Sequence, residues 1–389
     1  MHTNGAKPSG RLRPISITEM FFERKLFMAL CRLDAFQMKD NVRFLGRCFE
    51  DADRQAVWFN WSLAGFALRF RGRELRACFI SVDEDMTAPF EHEAVTLSPV
   101  IGVHVDGGEL RRFKLSKPRQ WLSIFSGEYG DHSAEIRKIS ENVMGKCALC
   151  ALETDGEFLA PPSPAPLRIE FVGDSITCAY GVEATEPGFR TEDENSEAGY
   201  SFLAAKALGA DYSAICVTGC GVAEPVYFPR MVNRGMLSMY AHTDTPLERL
   251  WGRTNFRCWD FSANPSDAIV INLGTNDANE ISMLGFTRES VEHFRRSYRE
   301  LLELIRRLNG PEPWLICTLG SMDYYLWDEI LAVAHKFAEE TGDKRIVCEK
   351  MGKLNSMTEG LGADTHPSAV SHRRMGLEMA DILRRTLGI

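Results

Sequence analysis

The spacing of apolar positions along this chain changes character near residue 160. Before it, short apolar or alternating runs follow one another closely: Ala56 to Trp61, Gly65 to Arg71, Arg76 to Val82, Val100 to Val105, Gln120 to Ser126 and Glu135 to Ser140. Runs of this length read as strands, and the breaks Arg71-Gly72-Arg73, Asp106-Gly107-Gly108 and Ser126-Gly127-Glu128 read as turns. Many short strands at such spacing predict a β-sandwich. After residue 160, buried-strand runs alternate with helical patterns. Ile169 to Gly173, Tyr212 to Val217, Ala268 to Leu273, Trp314 to Leu319 and Arg345 to Cys348 are the strand candidates. Glu289 to Asn309 places Val291, Phe294, Tyr298, Leu301, Leu302 and Ile305 at helical spacing. Leu326 to Glu340 reads as a further helix, and a final one runs from about Ala369 to Leu387. Alternation of this kind predicts an α/β domain whose parallel sheet is covered on both faces. Ligands bind such sheets at the carboxyl ends of the strands.

Between the two halves lies Phe158-Leu159-Ala160-Pro161-Pro162-Ser163-Pro164-Ala165-Pro166, with four prolines in six residues. Proline removes an amide donor and fixes φ, so this stretch fits neither a helix interior nor a central strand and reads as a linker. The predicted domains are 1–160 and 161–389. A chain of 389 residues is long enough for two units, each with its own core.

Composition narrows the function classes. Hydrophobic content of 44% and charged content of 25% are globular values. The formal net charge of -9 argues against nucleic acid and anionic membranes as partners and suits a neutral substrate. Met1 to Pro8 lacks the apolar core of a secretory signal, and no run approaches the roughly 18 apolar residues of a membrane span. Eleven cysteines, scattered through apolar strands, point to reduced thiols and a cytoplasmic protein. Cys147-Ala148-Leu149-Cys150 has redox or metal spacing, but no second pair accompanies it and a strand explains it better. With no phosphate loop and no metal-ligand cluster in the sequence, neither a cofactor nor a metal is implied. The segment Tyr227 to Phe256 is too long for a simple connection. It reads as a substrate wall or as an oligomer contact, so a homo-oligomer is possible on this reading.

The chemistry is carried by four segments. The apolar run Ile169 to Val172 stops at Gly173-Asp174-Ser175, which sets the Ser175 hydroxyl at a strand end. There a helix can begin and backbone N–H groups lie free. A serine so placed can attack a carbonyl while nearby donors receive the oxyanion. Thr218-Gly219-Cys220-Gly221 follows the second strand, and glycine lets the backbone approach a substrate closely. Asn276, after the third strand, offers an uncharged donor. His366, in Gly362-Ala363-Asp364-Thr365-His366-Pro367-Ser368, offers a base near neutral pH. His372 reads as a residue on a helix face, and Cys178 and Cys220 as packing near the site.

This ordered set resembles the SGNH (GDSL-type) hydrolases. Gly173-Asp174-Ser175-Ile176-Thr177-Cys178-Ala179-Tyr180-Gly181 and Trp259-Asp260-Phe261-Ser262 ahead of Ile271-Asn272-Leu273-Gly274-Thr275-Asn276-Asp277 are similar to family 2 carbohydrate esterases. The resemblance covers roughly Leu167 to Ile389. It implies a three-layer α/β/α hydrolase domain preceded by a jelly-roll β-sandwich, and removal of acetyl groups from xylan or xylo-oligosaccharides. It also implies Ser175 as nucleophile, His366 as its base, and an oxyanion hole from the Ser175 and Gly219 amides with the Asn276 side chain. Gly221 is the alternative to Gly219. Asp174 and Asp277 would fix local loops. Sugars stack on aromatic faces, which makes Trp259 and Trp327 the substrate-binding candidates, although each of Trp251, Trp259 and Trp327 is more often core. Rival functions are hydrolysis of another acyl substrate, such as a lysophospholipid or thioester, and non-catalytic sugar binding.

One position departs from the pattern. The usual triad acid, three residues before the histidine, is here Ala363. In an extended segment residues two apart point to the same side, so the Asp364 carboxylate could reach the imidazole. The alternative is a backbone carbonyl orienting the ring.

Overall fold

The computed structural model describes residues 30–86, 95–223 and 235–389. The N-terminal unit is a ten-stranded antiparallel sheet. Its strands are β1 (Cys31–Asp34), β2 (Val42–Leu45), β3 (Phe49–Asp51), β4 (Ala56–Trp58), β5 (Gly65–Val82), β8 (Val100–Val105), β9 (Arg111–Lys114), β10 (Arg119–Lys138), β11 (Lys146–Thr154) and β12 (Glu157–Leu159). A separate ribbon pairs β6 (Glu84–Met86) with β7 (Val95–Leu97).

Two breaks expected as turns do not end strands. Arg71-Gly72-Arg73 lies inside the 18-residue β5, and Ser126-Gly127-Glu128 lies inside the 20-residue β10. Between Ser126 and Gly130 the pairing register of β10 on β5 slips, which is a bulge. A Cβ on Gly72 would fall 2.6 Å from Thr154 Oγ1 and from Asp155 Oδ1, so the bare backbone there admits a neighbouring bend. These glycines mark curvature and close approach. Asp106-Gly107-Gly108 is a true turn: Asp106 and Gly107 both have positive φ, and the Gly108 amide returns to the Val105 carbonyl at 2.9 Å. Cys147 and Cys150 lie in strand β11, as read.

The second unit is an α/β domain on a five-stranded parallel sheet of β13 (Arg168–Gly173), β14 (Asp211–Cys216), β15 (Ala268–Asn272), β16 (Trp314–Leu319) and β17 (Ile346–Lys350). Its helices are α1 (Ser175–Cys178), α2 (Tyr200–Ala207), α3 (Met236–Met239), α4 (Thr245–Leu250), α5 (Thr275–Leu284), α6 (Arg288–Asn309), α7 (Trp327–Thr341), α8 (Ser356–Glu359) and α9 (Ala369–Leu387). Strand residues alternate between two cores, as period-2 pleating requires. Val172, Ile269, Ile271, Leu315 and Cys317 pack with Phe294, Tyr298 and Leu301 of α6 and Ile330 of α7. Ile169, Phe171, Val270 and Ile316 pack with Ala204 of α2 and Met375, Met379 and Leu383 of α9. The expected helices are matched within two residues at their ends.

The strand order β14-β13-β15-β16-β17 reverses direction at β13. Such a switch point opens a crevice beyond the carboxyl ends of the strands. Ser175 follows β13, and its neighbours on either side are the strands that precede Gly219 and Asn276.

Contrary to the expectation of two separate cores, one apolar cluster runs from Phe59, Trp61 and Phe66 of the β unit to Val172 and Ile215 of the parallel sheet. Polar contacts reinforce the join. Arg47 pairs with Glu170 at 3.1 Å, Arg43 with Asp211 at 2.8 Å, and Asn60 donates to Asp244 at 2.7 Å. The Trp61 indole donates to the Thr243 carbonyl at 2.7 Å. The described part of the expected substrate wall or oligomer contact, from residue 235 onward, thus serves as an intramolecular contact. Its portion from Tyr227 to 234 lies outside the described residues.

Candidate active site

Ser175 opens α1 immediately after β13, and the sharp turn there is built by neighbours in sequence. A Cβ on Gly173 would lie 2.0 Å from Thr177 Oγ1, so only glycine lets the helix fold back onto the strand end. Asp174 caps the helix, its carboxylate accepting the Ile176 amide at 3.0 Å. The Ser175 amide is the first of the helix and has no intrahelical acceptor. After four residues Ala179 ends the helix in the left-handed conformation.

His366 comes from the other end of the chain, and its Nε2 lies 2.8 Å from Ser175 Oγ. Its Nδ1 faces two backbone carbonyls, those of Ala363 and Asp364, each at 3.2 Å. A carbonyl only accepts, so Nδ1 carries the proton and Nε2 is the free base facing the serine hydroxyl. Burial pushes the imidazole below its usual value, against the weaker pull of the two carbonyls and of the Asp364 charge.

The Asp364 carboxylate does not hold the ring. It accepts the Tyr180 hydroxyl at 2.7 Å. The segment before His366 is a 3-10 turn rather than extended chain, with Asp364 and Thr365 both at positive φ (47° and 66°). That twist turns both carbonyls toward Nδ1, while the Asp364 carboxylate is taken by Tyr180. Non-glycine residues in this region cost of order 1–3 kcal/mol each and gather at functional sites. Tyr180 completes the socket, its ring meeting the imidazole edge to face at 4.8 Å between centroids.

On both sides of Gly219 the backbone is held by hydrogen bonds. Cys220 N–H donates to the Val217 carbonyl at 3.1 Å, and the Asn276 amide donates to the Cys220 carbonyl at 3.1 Å and to Asp174 Oδ2 at 3.3 Å. Asn276 thereby ties together the segments that follow the adjacent strands β14, β13 and β15. Gly219 itself sits at φ +78°, and its N–H meets no acceptor among the described residues. Gly221 is packed on Asp277, where a Cβ would be 2.9 Å from Oδ1, and Val222 donates to both Asp277 oxygens at 3.0 Å. Asp174 and Asp277 thus fix loops, as expected. Burial raises them to about 7 and about 6 respectively.

Trp259 falls away from this end of the sheet. Trp259 packs over the Arg47 guanidinium at 5.5 Å and lines a cleft with Arg168, Asp211 and Asn264. Arg168 and Asp211 begin their strands, so Trp259 lies at the opposite end of the sheet from Ser175. Trp327 begins α7 half-buried against the core, with the Lys350 ammonium 5.5 Å over its ring. Trp251 packs edge-on against Phe49 and Trp58 in the contact between the units. His372 lies on the buried side of α9, where Nδ1 accepts the Tyr200 amide at 3.1 Å. Cys178 and Cys220 are buried, and burial pushes both thiols well up.

Three participants had no voice in the sequence reading. Tyr180 stood in the quoted motif without a role. Glu194 accepts the Gly181 amide at 2.9 Å, and the Gly181 carbonyl in turn holds the Ala363 amide at 3.0 Å beside His366. Glu141 reaches Thr218 from the β unit. No local spacing signals a contact between residues so far apart.

Comparison with known proteins finds relatives for both units. The profile of the carbohydrate esterase 2 N-terminal domain matches residues 44–162. A cellulase/esterase of Acetivibrio thermocellus is 28% identical over 358 residues, covering 89% of this chain and 40% of that protein, so the chain spans less than half of that relative's length. An acetylxylan esterase/glucomannan deacetylase of Cellvibrio japonicus is 23% identical, covering 79% of this chain and 87% of that one. A family two carbohydrate esterase from Clostridium thermocellum, solved in complex with cellohexaose, superposes with a TM-score of 0.76 at 26% identity, over 89% of this chain and 99% of that one. The profile of the GDSL-like lipase/acylhydrolases matches residues 169–379, more than half of the sequence, and the chain belongs to that family.

Proposed function

We propose that this chain is a serine esterase that removes acetyl groups from acetylated xylan or xylo-oligosaccharides. The observation that carries the reading is the Ser175 Oγ to His366 Nε2 contact at 2.8 Å, with the imidazole tautomer fixed by two carbonyls. Ser175 Oγ attacks the acetyl carbonyl as its proton passes to Nε2. The oxyanion is received by the amides of Ser175 and Gly219 and by Asn276 Nδ2, which exchanges its longer bond to Asp174 for the substrate oxygen. Collapse expels the sugar hydroxyl with the proton from His366. Water, deprotonated by the same nitrogen, then releases acetate and restores the serine.

The carbohydrate substrate rests on the named relatives and on the N-terminal match. That N-terminal unit is read as a sandwich of the jelly-roll type, supported by the bends in β5 and β10. The division at residue 160/161 is supported by β12 ending at Leu159 and β13 starting at Arg168. Among the described residues no helix is long and apolar enough to cross a membrane, and all eleven cysteines are free, which supports work in a reducing compartment such as the cytoplasm.

The test is acetate release from acetylated xylo-oligosaccharides by the wild type and by Ser175→Ala. Release by the wild type that the substitution abolishes is the expected result. Faster turnover of long-chain than of acetyl esters in an acyl-length series would overturn the deacetylase reading in favour of a lipid or other acyl substrate.

A further inference from the structure

We propose that Glu141, carried by the N-terminal unit, is a positioning residue for the oxyanion-binding amide of Gly219; the proposal rests on the esterase reading above. Glu141 lies in the connection from β10 to β11, which leaves the antiparallel sheet and passes beneath the carboxyl end of β14. It is completely buried. Both of its carboxylate oxygens are spent on one residue, Thr218: Oε2 accepts the Thr218 amide at 2.8 Å and Oε1 accepts the Thr218 hydroxyl at 2.5 Å. Burying a carboxylate costs several kcal/mol unless it is compensated. Burial pushes the Glu141 carboxyl above its usual range, and the two Thr218 bonds and the charge of the buried Lys138, whose ammonium donates to the main-chain carbonyls of Ser140 and Glu141, pull the other way.

The consequence falls on the next residue. Val217 is held through its carbonyl by Cys220 N–H, Thr218 through its amide and hydroxyl by Glu141, and Cys220 through its carbonyl by Asn276. Between these held residues the Gly219 N–H meets no acceptor among the described residues. A turn clamped on both sides of one open donor is preorganised for charge that develops in the transition state. The catalytic unit supplies one clamp, Asn276. The other comes from the β unit, so the antiparallel domain enters the chemistry through the oxyanion site.

Three variants and two readouts separate this role from plain interdomain packing. Glu141→Ala frees both Thr218 donors. We expect kcat to fall about 10²-fold, the loss typical of one oxyanion donor, with KM within twofold. Glu141→Gln, which can accept the amide through its oxygen and donate to the hydroxyl, restores kcat to within tenfold of wild type. The discriminating readout is the rate ratio between an oxygen ester and its thiono counterpart, whose sulfur fits an oxyanion site poorly. Misplacing Gly219 slows the oxygen ester more and narrows the ratio, whereas a lower folded fraction slows both alike. Amide exchange of Thr218 and Gly219, which needs no turnover, should quicken in Glu141→Ala. A folded Glu141→Ala with kcat within threefold of wild type, or with both esters slowed equally and exchange unchanged, overturns the proposal. If that variant does not fold, Thr218→Val removes the hydroxyl bond alone. It should cost about tenfold in kcat with the same narrowing, and wild-type kcat and ratio there would equally overturn it. Absence of wild-type turnover on any ester would fail the esterase reading itself, while the exchange measurement still decides whether Glu141 holds the turn.

Discussion

At the scale of single residues, the catalytic base is governed by carbonyl dipoles rather than by a carboxylate. His366 has two main-chain acceptors at Nδ1, and Asp364 is engaged with Tyr180. In a triad whose acid holds the imidazole, amidation of that acid costs about 10⁴ in kcat because it leaves the wrong tautomer. Here Asp364→Asn should stay within about fivefold of wild type, since an asparagine oxygen can still accept from Tyr180 and the carbonyls keep the tautomer. A loss of 10³ or more would show that the carboxylate serves the ring. The pH profile follows from the same geometry. Only neutral His366 accepts the serine proton, and burial sets its pKa below 6.5. The rate should therefore rise with pH through a midpoint below 6.5 and level off by neutrality, in wild type and in Asp364→Asn alike. A kcat/KM profile with its acid limb centred above 6.5 contradicts this.

At the scale of elements, the serine and histidine loops are brought into register by two bare backbone contacts. Gly173 lets α1 start against the end of β13. Gly181, at φ +54°, lies so near the histidine loop that a Cβ would fall 2.2 Å from the Ala363 side chain. Gly181→Ala meets both a left-handed backbone and a steric collision, each of which costs on the order of 1–3 kcal/mol. Part of the collision is relieved by moving Ala363, whose carbonyl orients His366. The variant should thus lose kcat by at least tenfold at temperatures where it is fully folded, which steady-state kinetics beside a melting curve will check. A variant with lowered melting temperature but wild-type kcat would make Gly181 a folding residue only.

At the scale of the whole molecule, the two units share a core and a buried ion pair. Arg47, fully buried, pairs with Glu170 of β13 and donates to the Tyr240 and His242 carbonyls at 2.6 and 2.7 Å. Tyr240, Trp259 and Phe261 surround its guanidinium. Breaking a buried pair from one side strands the other charge and costs about 3–5 kcal/mol. Arg47→Met should lower unfolding stability by that amount in denaturant titration, and adding Glu170→Gln should recover part of it. If the single variant unfolds at the wild-type midpoint, the pair does not bind the units together.

Much of this arrangement was readable one segment at a time. The switch of period near residue 160 separated an antiparallel from a parallel sheet, because side-chain alternation and helical spacing are local properties of the backbone. Ser175, Gly219 and Asn276 were legible for the same reason: each follows a buried-strand run, and strand ends are where parallel sheets present their chemistry. The fusion of four expected strands into β5 and β10 was not legible. A glycine that ends a strand and one that admits a bulge look alike until the opposing strand is in place. Nor could the sequence choose between Asp364 and a carbonyl for His366, because the choice turns on two left-handed residues and on a tyrosine far away in the chain. The tryptophans could be placed in the hydrolase half but not at one end of its sheet. Local sequence thus determined the elements and which polar residues stand at the strand ends. Tertiary structure alone decided what holds those groups, since Glu141, Glu194 and Arg47 act across distances in the chain that no periodicity spans.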